Sequence, residues 1–269
     1  MRLFAIRDDV IAPDMILGYL VYYELSRCFY VELPDDSDPW KVPPVFSSFV
    51  SNGRYTIDSS FSRLFVRQRI VPQDRQNISQ ILVDNGLKEY DEFALLMLSM
   101  GHCEQDECYL EEVSSDAIPQ FIQKRWETKV LDISPLETPS ILVFFRNSMS
   151  KIVDVSKIAP SQAEPFLINQ SRFDTIEVQP DGYGIYWTEQ ASVLHSDLFT
   201  HGVTAPLSLH DFHRFVQNRV VSASEACTIL NCSRQNIDDL MRRGKLHPIR
   251  TDAKYKIFSR TEVMQRKKG

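Results

Sequence analysis

A chain of 269 residues, 43% hydrophobic and 11% aromatic, has apolar material for a core but is long for one mixed domain, so two or three domains are expected. No run approaches the roughly 18 to 20 apolar residues of a membrane span, and two aspartates interrupt MRLFAIRDDV where a signal peptide would be apolar, so the expectation is a cytoplasmic protein with no membrane partner. The net charge of −6 hides an asymmetry: from Asn218 onward twelve Lys or Arg face five Asp or Glu, a net of +7, which leaves the rest at −13, the pattern of a phosphate-facing module on an acidic, protein-facing body.

In chain order, LFAI, ILGYLVYYEL and RCFYVEL are rich in aromatic and β-branched residues and predict a small sheet. PDDSDPWKVPP, with four prolines, reads as a loop. Farther on, Pro72 sits at a first-turn position, and Ile78, Ile81, Leu82 and then Phe93, Leu95, Leu96 and Leu98 recur at helical spacing. They predict two short helices, the first closed by Asn85-Gly86. The run Arg67-Gln68-Arg69-Ile70-Val71-Pro72 with Arg75, Asn77-Ile78, Gly86-Leu87, Tyr90-Asp91-Glu92-Phe93 and Asp106-Glu107-Cys108-Tyr109-Leu110 resembles the segment ahead of the kinase body in HipA-related toxin kinases. No phosphate-binding loop and no catalytic Asp with its downstream Asn and metal-binding Asp follow Leu110, so a kinase is excluded. The resemblance implies a surface shared with such kinases; the plain alternative is a helical pair within an α+β domain.

Between Val113 and Pro139 the composition turns polar, with Pro119 and Pro135 inside it and FIQKRWETKV as a short helix, which suggests a boundary. ILVFF and KIVDVS then read as strands, and Thr175-Ile176-Glu177-Val178 and Gly184-Ile185-Tyr186-Trp187 flank Pro180-Asp181-Gly182 as a hairpin would. With Val153-Asp154-Val155, Phe173, Gly182-Tyr183, Leu198 and Gly202, these segments resemble a small bacterial α+β family of unknown function, frequently fused to or encoded beside helix-turn-helix proteins. The resemblance implies no activity.

Near the end, Ser222 or Ser224 can cap a helix whose buried face is Ala226, Ile229 and Leu230. Asn231-Cys232 makes a short turn, and Ser233 caps a second helix through Arg243 with Ile237, Leu240 and Met241 inward, ended by Gly244. Beyond it Pro248 and Ile249 are expected to lie against Ile257 and Phe258 around a tip at Thr251-Asp252-Ala253. On the second helix, Ser233 and the free N–H groups suit a phosphate, while Arg234, Gln235, Asn236, Arg242 and Arg243, with Lys245 just beyond it, suit bases or phosphates, Arg pairing bidentately with guanine and Gln or Asn with adenine. The strand pair adds Arg250, Lys254, Tyr255 and Lys256. ASEACTILNCSRQNI, RRGKLHPIR and KYKIFSRTEV together resemble the winged helix-turn-helix of the MerR and excisionase class. The long dimerisation coiled coil of MerR regulators is missing after Val263, so a homodimer would form through the upstream domains.

Other signals carry less. His102, Cys103 and Cys108 lack the fourth ligand of a structural metal site, and Asp35, Asp36 and Asp38 lack the glycine and closing Glu of a calcium loop. His195, His210 and His213 with Ser192, Ser196, Ser208 and Asp197 have no nucleophile motif around them, and Gly182 and Gly184 lack a third glycine and a helix. The five cysteines are dispersed, so reduced thiols are expected, and Cys227 and Cys232 read as packing residues.

The expected fold class is therefore α+β and multidomain. It comprises a small N-terminal α+β partner or sensing domain at 1–115, a linker at 116–139, a small α+β domain with antiparallel strands at 140–205, and a C-terminal winged helix-turn-helix at 206–269. The expected function is a DNA-binding transcriptional regulator, without catalytic residues, cofactor or metal. Its partners are double-stranded DNA and, in the antitoxin-like form of the reading, a HipA-related kinase. The alternative is a non-enzymatic adaptor or mobile-element inhibitor, phage- or excisionase-like, that is anchored to DNA nonspecifically.

Overall fold

The structure, a computed structural model, describes residues 1–10, 12–13, 15–188, 190–204, 209–250 and 256–268, and the chain divides into two compact units, 1–123 and 124–269. It is a mixed α/β protein built on several antiparallel sheets.

In the first unit, β1 (Arg2–Asp8), β2 (Ile16–Tyr23), β3 (Cys28–Glu32), β4 (Thr56–Ile57) and β5 (Cys108–Val113) form one antiparallel sheet in the order β4-β3-β2-β1-β5. The three apolar segments read from the sequence are its central strands. Alternation along them sends Phe4, Ile6, Leu20, Tyr22 and Val31 into a core shared with α1 (Pro44–Ser51), α2 (Ser59–Arg67) and α4 (Glu92–Ser99). The sequence reading assigned nothing to α1 and α2, although their start signals are present. Proline occupies the opening of α1, and the Asp58 carboxylate accepts the Ser60 and Phe61 N–H groups at 2.8 and 3.1 Å.

The expected helical pair is α3 (Ile78–Asp84) and α4, with Asn85 and a left-handed Gly86 (φ +69°) ending the first. Pro72 does not open α3. Its carbonyl accepts the Arg75 N–H in a turn six residues earlier. Some of the side chains behind the kinase-segment resemblance are committed to internal bonds. Arg69 is buried, stacks 3.6 Å from the Phe65 ring and pairs with Asp106, whose Oδ1 also accepts the Cys108 N–H, while the Tyr90 hydroxyl donates to the Val71 carbonyl at 2.9 Å. These residues hold the helices to β5. The division between units falls within α5 (Gln120–Trp126), the short helix expected at FIQKRWETKV.

In the second unit, β6 (Val130–Pro135), β7 (Ser140–Phe145), β8 (Ser150–Asp154) and β12 (Val203–Thr204) form an antiparallel sheet in the order β12-β8-β7-β6. Three more strands, β9 (Glu177–Val178), β10 (Gly184–Thr188) and β11 (Ala191–Leu194), form another in the order β11-β10-β9. Both sheets and the helices α6 (Val155–Ile158), α7 (Pro160–Ala163), α8 (Gln170–Phe173) and α9 (His195–His201) share a core containing Ile133, Phe145, Phe173, Ile185, Trp187 and Leu198. The hairpin read around Pro180-Asp181-Gly182 is present, with Val178 opposite Ile185.

The stretch 116–139 was expected as a linker, but it carries α5 and β6. Its polarity misleads because β6 is an edge strand, where Pro135 is tolerated at the end and Asp132 finds partners outside the sheet. The boundary near 205 is likewise bridged. Helix α10 (Leu209–Arg219) packs on β6; Phe215 meets Phe144 at 5.1 Å, and Arg219 donates to the Ile176 carbonyl at 2.9 Å. No helix among the described residues is long and apolar enough to cross a membrane.

One buried group in this unit makes stability depend on pH. His195 is 1% exposed, with Nδ1 3.0 Å from the Thr128 hydroxyl. That hydroxyl spends its own proton on the Arg125 carbonyl, so His195 must be the donor, and its Nε2 is buried without a hydrogen-bond partner. Burial, then the neighbouring Lys129 charge, pushes the imidazole down to about 3. The unfolded chain therefore takes up this proton first as pH falls, and stability is lost from about pH 6.5 downward, by about 2 kcal/mol at pH 5. His195→Asn retains a donor but does not titrate. Its urea midpoint should change less between pH 7 and pH 5 than that of the parent protein; equal changes would exclude His195 as the source.

Candidate nucleic-acid interface

The basic end of the chain folds around six buried residues: Val221, Ala226, Ile237, Leu246, Phe258 and Val263. They come from β13 (Val220–Ser222), α11 (Ala223–Leu230), α12 (Arg234–Arg242), β14 (Ile257–Ser259) and α13 (Arg260–Lys268), together with the turn after α12. Ser222, not Ser224, caps α11. Its Oγ accepts the Glu225 N–H at 3.2 Å, while the Glu225 carboxylate accepts the Ser222 N–H at 2.7 Å and is held below its ordinary range by that bond.

Asn231, in the left-handed conformation (φ 50°), ends α11, and two residues later the Ser233 hydroxyl accepts the Asn236 N–H to begin α12. The turn between the helices is thus three residues long. Ile237 is buried, with Leu240 and Met241 packed at the margin of the same core. Gly244 (φ +63°) lets the chain reverse so that Leu246 is buried. The Ile249 N–H donates to the Ile257 carbonyl at 2.8 Å, and Pro248 bridges to Phe258, which is the pairing expected from the sequence. The expected tip, Thr251-Asp252-Ala253, lies outside the described residues.

This packing leaves one face of α12 in solvent. Ser233, Arg234, Gln235 and Asn236 are exposed at its beginning; Arg242, Arg243 and Lys245 are exposed at its end, about 12 Å away along the axis. Arg250 is exposed and Lys256 half-buried, while Lys254 and Tyr255 lie outside the described residues.

Several of these cations are engaged within the chain. Arg234 donates to the Ser224 hydroxyl at 2.8 Å, Asp239 receives Arg243 at 2.7 Å and Arg242 at 3.4 Å, and Asp238 receives Lys256 at 2.9 Å. The Lys256 ammonium holds the Asp238 carboxyl below its ordinary value. Ser222, Ser224, Arg234, Ile237, Asp238 and Lys256 line an open cleft beside the start of α12. Sequence reasoning missed this role of the acids. Asp239 precedes Arg242 and Arg243 by three and four residues, a spacing that signals the pairing. Nothing local signals that Asp238 meets Lys256, 18 positions away.

Among the described residues, no group of three or more His, Cys, Asp or Glu could hold a metal ion. His195 sits in the core, with its ring against the Thr128 hydroxyl and the Tyr183 ring. No family model, no curated protein and no solved structure matches the chain.

Proposed function

We propose that residues 220–268 are a winged helix-turn-helix that binds double-stranded DNA, and that the protein is a transcriptional regulator whose α12 enters the major groove. The observation that carries this reading is the solvent-facing Arg234, Gln235 and Asn236 on the first turn of a helix whose opposite face is fixed by Ile237. Arg pairs bidentately with guanine and Gln or Asn with adenine, and a capped helix start offers N–H groups to phosphate. Arg242, Arg243 and Lys245, one helix length away, suit the flanking backbone, and the +7 charge of the tail supplies the attraction.

The test is selection of binding sites by the full chain from random duplex DNA. A defined motif is expected. Asn236→Ala should weaken binding to it by about 1–3 kcal/mol and relax one base preference, whereas Lys245→Ala should weaken all sequences alike and lower the salt slope by about 0.9. A flat selection with the same affinity for every duplex sinks the regulator.

A specific observation favours a second reading, the adaptor with nonspecific anchoring. Asp238 and Asp239 already occupy Lys256, Arg242 and Arg243, so DNA must displace internal pairs, and that lowers the gain from each phosphate. The antitoxin-like form, with a HipA-related kinase as partner, has narrower support because the matching Arg69, Tyr90 and Asp106 are committed to internal bonds.

A further inference from the structure

The turn between α11 and α12 closes as a Schellman motif. Asn231 takes φ 50° and ψ 49°, its N–H bonds the Thr228 carbonyl at 3.3 Å, and the Cys232 N–H reaches back five residues to the Cys227 carbonyl at 3.0 Å. The side chains at those two outer positions meet in this motif, ordinarily as an apolar contact. Here both are cysteine. The Cys227 thiol is close enough to act electrostatically on that of Cys232, both are free, and both are half-buried at the margin of the Val221–Phe258 core. Packing accounts for their burial but not for the pairing of two oxidisable groups where one small apolar residue on each side would serve.

We propose that Cys227 and Cys232 form a dithiol site that hydrogen peroxide converts reversibly into a disulfide. A bridge requires Cα atoms roughly 4.4–6.8 Å apart, and the backbone bond between these two residues holds them on adjoining turns of chain. One cysteine, as its thiolate, attacks the peroxide O–O bond. Its sulfur becomes a sulfenic acid and the leaving hydroxide takes up a proton as water. The second sulfur then displaces the sulfenic hydroxyl, the S–S bond forms, and the second thiol proton leaves with that hydroxyl as another water. Two thiols and one peroxide thus give one disulfide and two waters, the sulfurs losing two electrons and the peroxide oxygens gaining them.

Burial, followed by the neighbouring thiol, raises Cys232 above its ordinary value. Because Ser233, the cap of α12, follows Cys232 directly, the bridge pins the chain where it enters that helix.

Reduced full-length protein treated with hydrogen peroxide, then alkylated and digested with trypsin, tests it. Cleavage after Arg219 and Arg234 places both cysteines in one peptide, 220–234. That peptide should be two hydrogens lighter, carry no alkyl group, and return to the doubly alkylated form after dithiothreitol. In Cys232→Ser, a sulfenic acid on Cys227 should be captured by dimedone. A peptide still doubly alkylated after peroxide overturns the proposal. So does oxidation to separate sulfinic acids, a bridge to Cys28, Cys103 or Cys108, or a bridge that forms only in urea.

Discussion

Asp132→Ala is expected to destabilise the protein by about 3 kcal/mol, the cost of removing a charged acceptor that three donors share. Asp132 lies on the edge strand β6 and accepts the Ser259 hydroxyl at 2.9 Å, the Thr261 hydroxyl at 2.7 Å and the Ile133 N–H at 2.8 Å. Burial raises its carboxyl above the ordinary range, opposed by those hydroxyls and by the Arg219 guanidinium. Arg219 is itself buried, and burial pushes it down while Asp132 is the foremost charge holding it up.

With alanine at 132, Arg219 would retain its bond to the Ile176 carbonyl but lose the foremost charge that supports it, and the buried Thr261 and half-buried Ser259 hydroxyls would lose their acceptor. Asp132→Asn keeps an acceptor and should cost less. Arg219→Met in the Asp132→Ala background should recover part of the loss, because the orphaned charge leaves with it. Urea unfolding measures all three. A loss under about 1 kcal/mol for Asp132→Ala would show that the carboxylate contributes little. The same residues join β14 and α13 to β6, so the basic end of the chain is built onto the sheet of its own unit.

What was legible in the sequence was local. The Ser222 and Ser233 caps, the left-handed Asn231 and Gly244, and the facing of Pro248 and Ile249 by Phe258 and Ile257 depend on residues a few positions apart, or on a hairpin whose register its apolar pairs set. What was not legible depends on distant partners. Lys129 reads as an ordinary solvent-facing lysine in a polar stretch, yet it is fully buried, with its ammonium 3.6 Å from the Tyr183 ring and 4.3 Å from the Trp126 ring. Arg69 looks like a surface arginine until Asp106, 37 positions on, is brought beside it. Asp132 breaks the apolar pattern of β6 for the sake of residues more than 120 positions later. In the basic tail, composition counts the cations and the acids but not which acid holds which cation, and Asp238 meets Lys256 only in the fold.

Gly182→Ala should cost about 3 kcal/mol or more, and the reason links the hairpin motif to the buried lysine. Gly182 is buried at φ +77°, where a β-carbon is strained, and that carbon would overlap the Val130 carbonyl oxygen and lie 3.4 Å from Lys129 Cβ. The obstruction is backbone of β6, which cannot swing aside as a flexible side chain could. Tyr183 follows immediately and its ring covers the Lys129 ammonium, so a shift of the turn would also uncover a buried charge. Gly244→Ala isolates the backbone term. It has φ +63° with nothing within 4 Å of an added β-carbon, and it should lose only about 1 kcal/mol. If urea unfolding gives the two variants equal losses, the close approach to β6 contributes nothing and the glycine serves the turn alone; a loss at 182 at least twice that at 244 assigns the difference to packing against Lys129 and Val130.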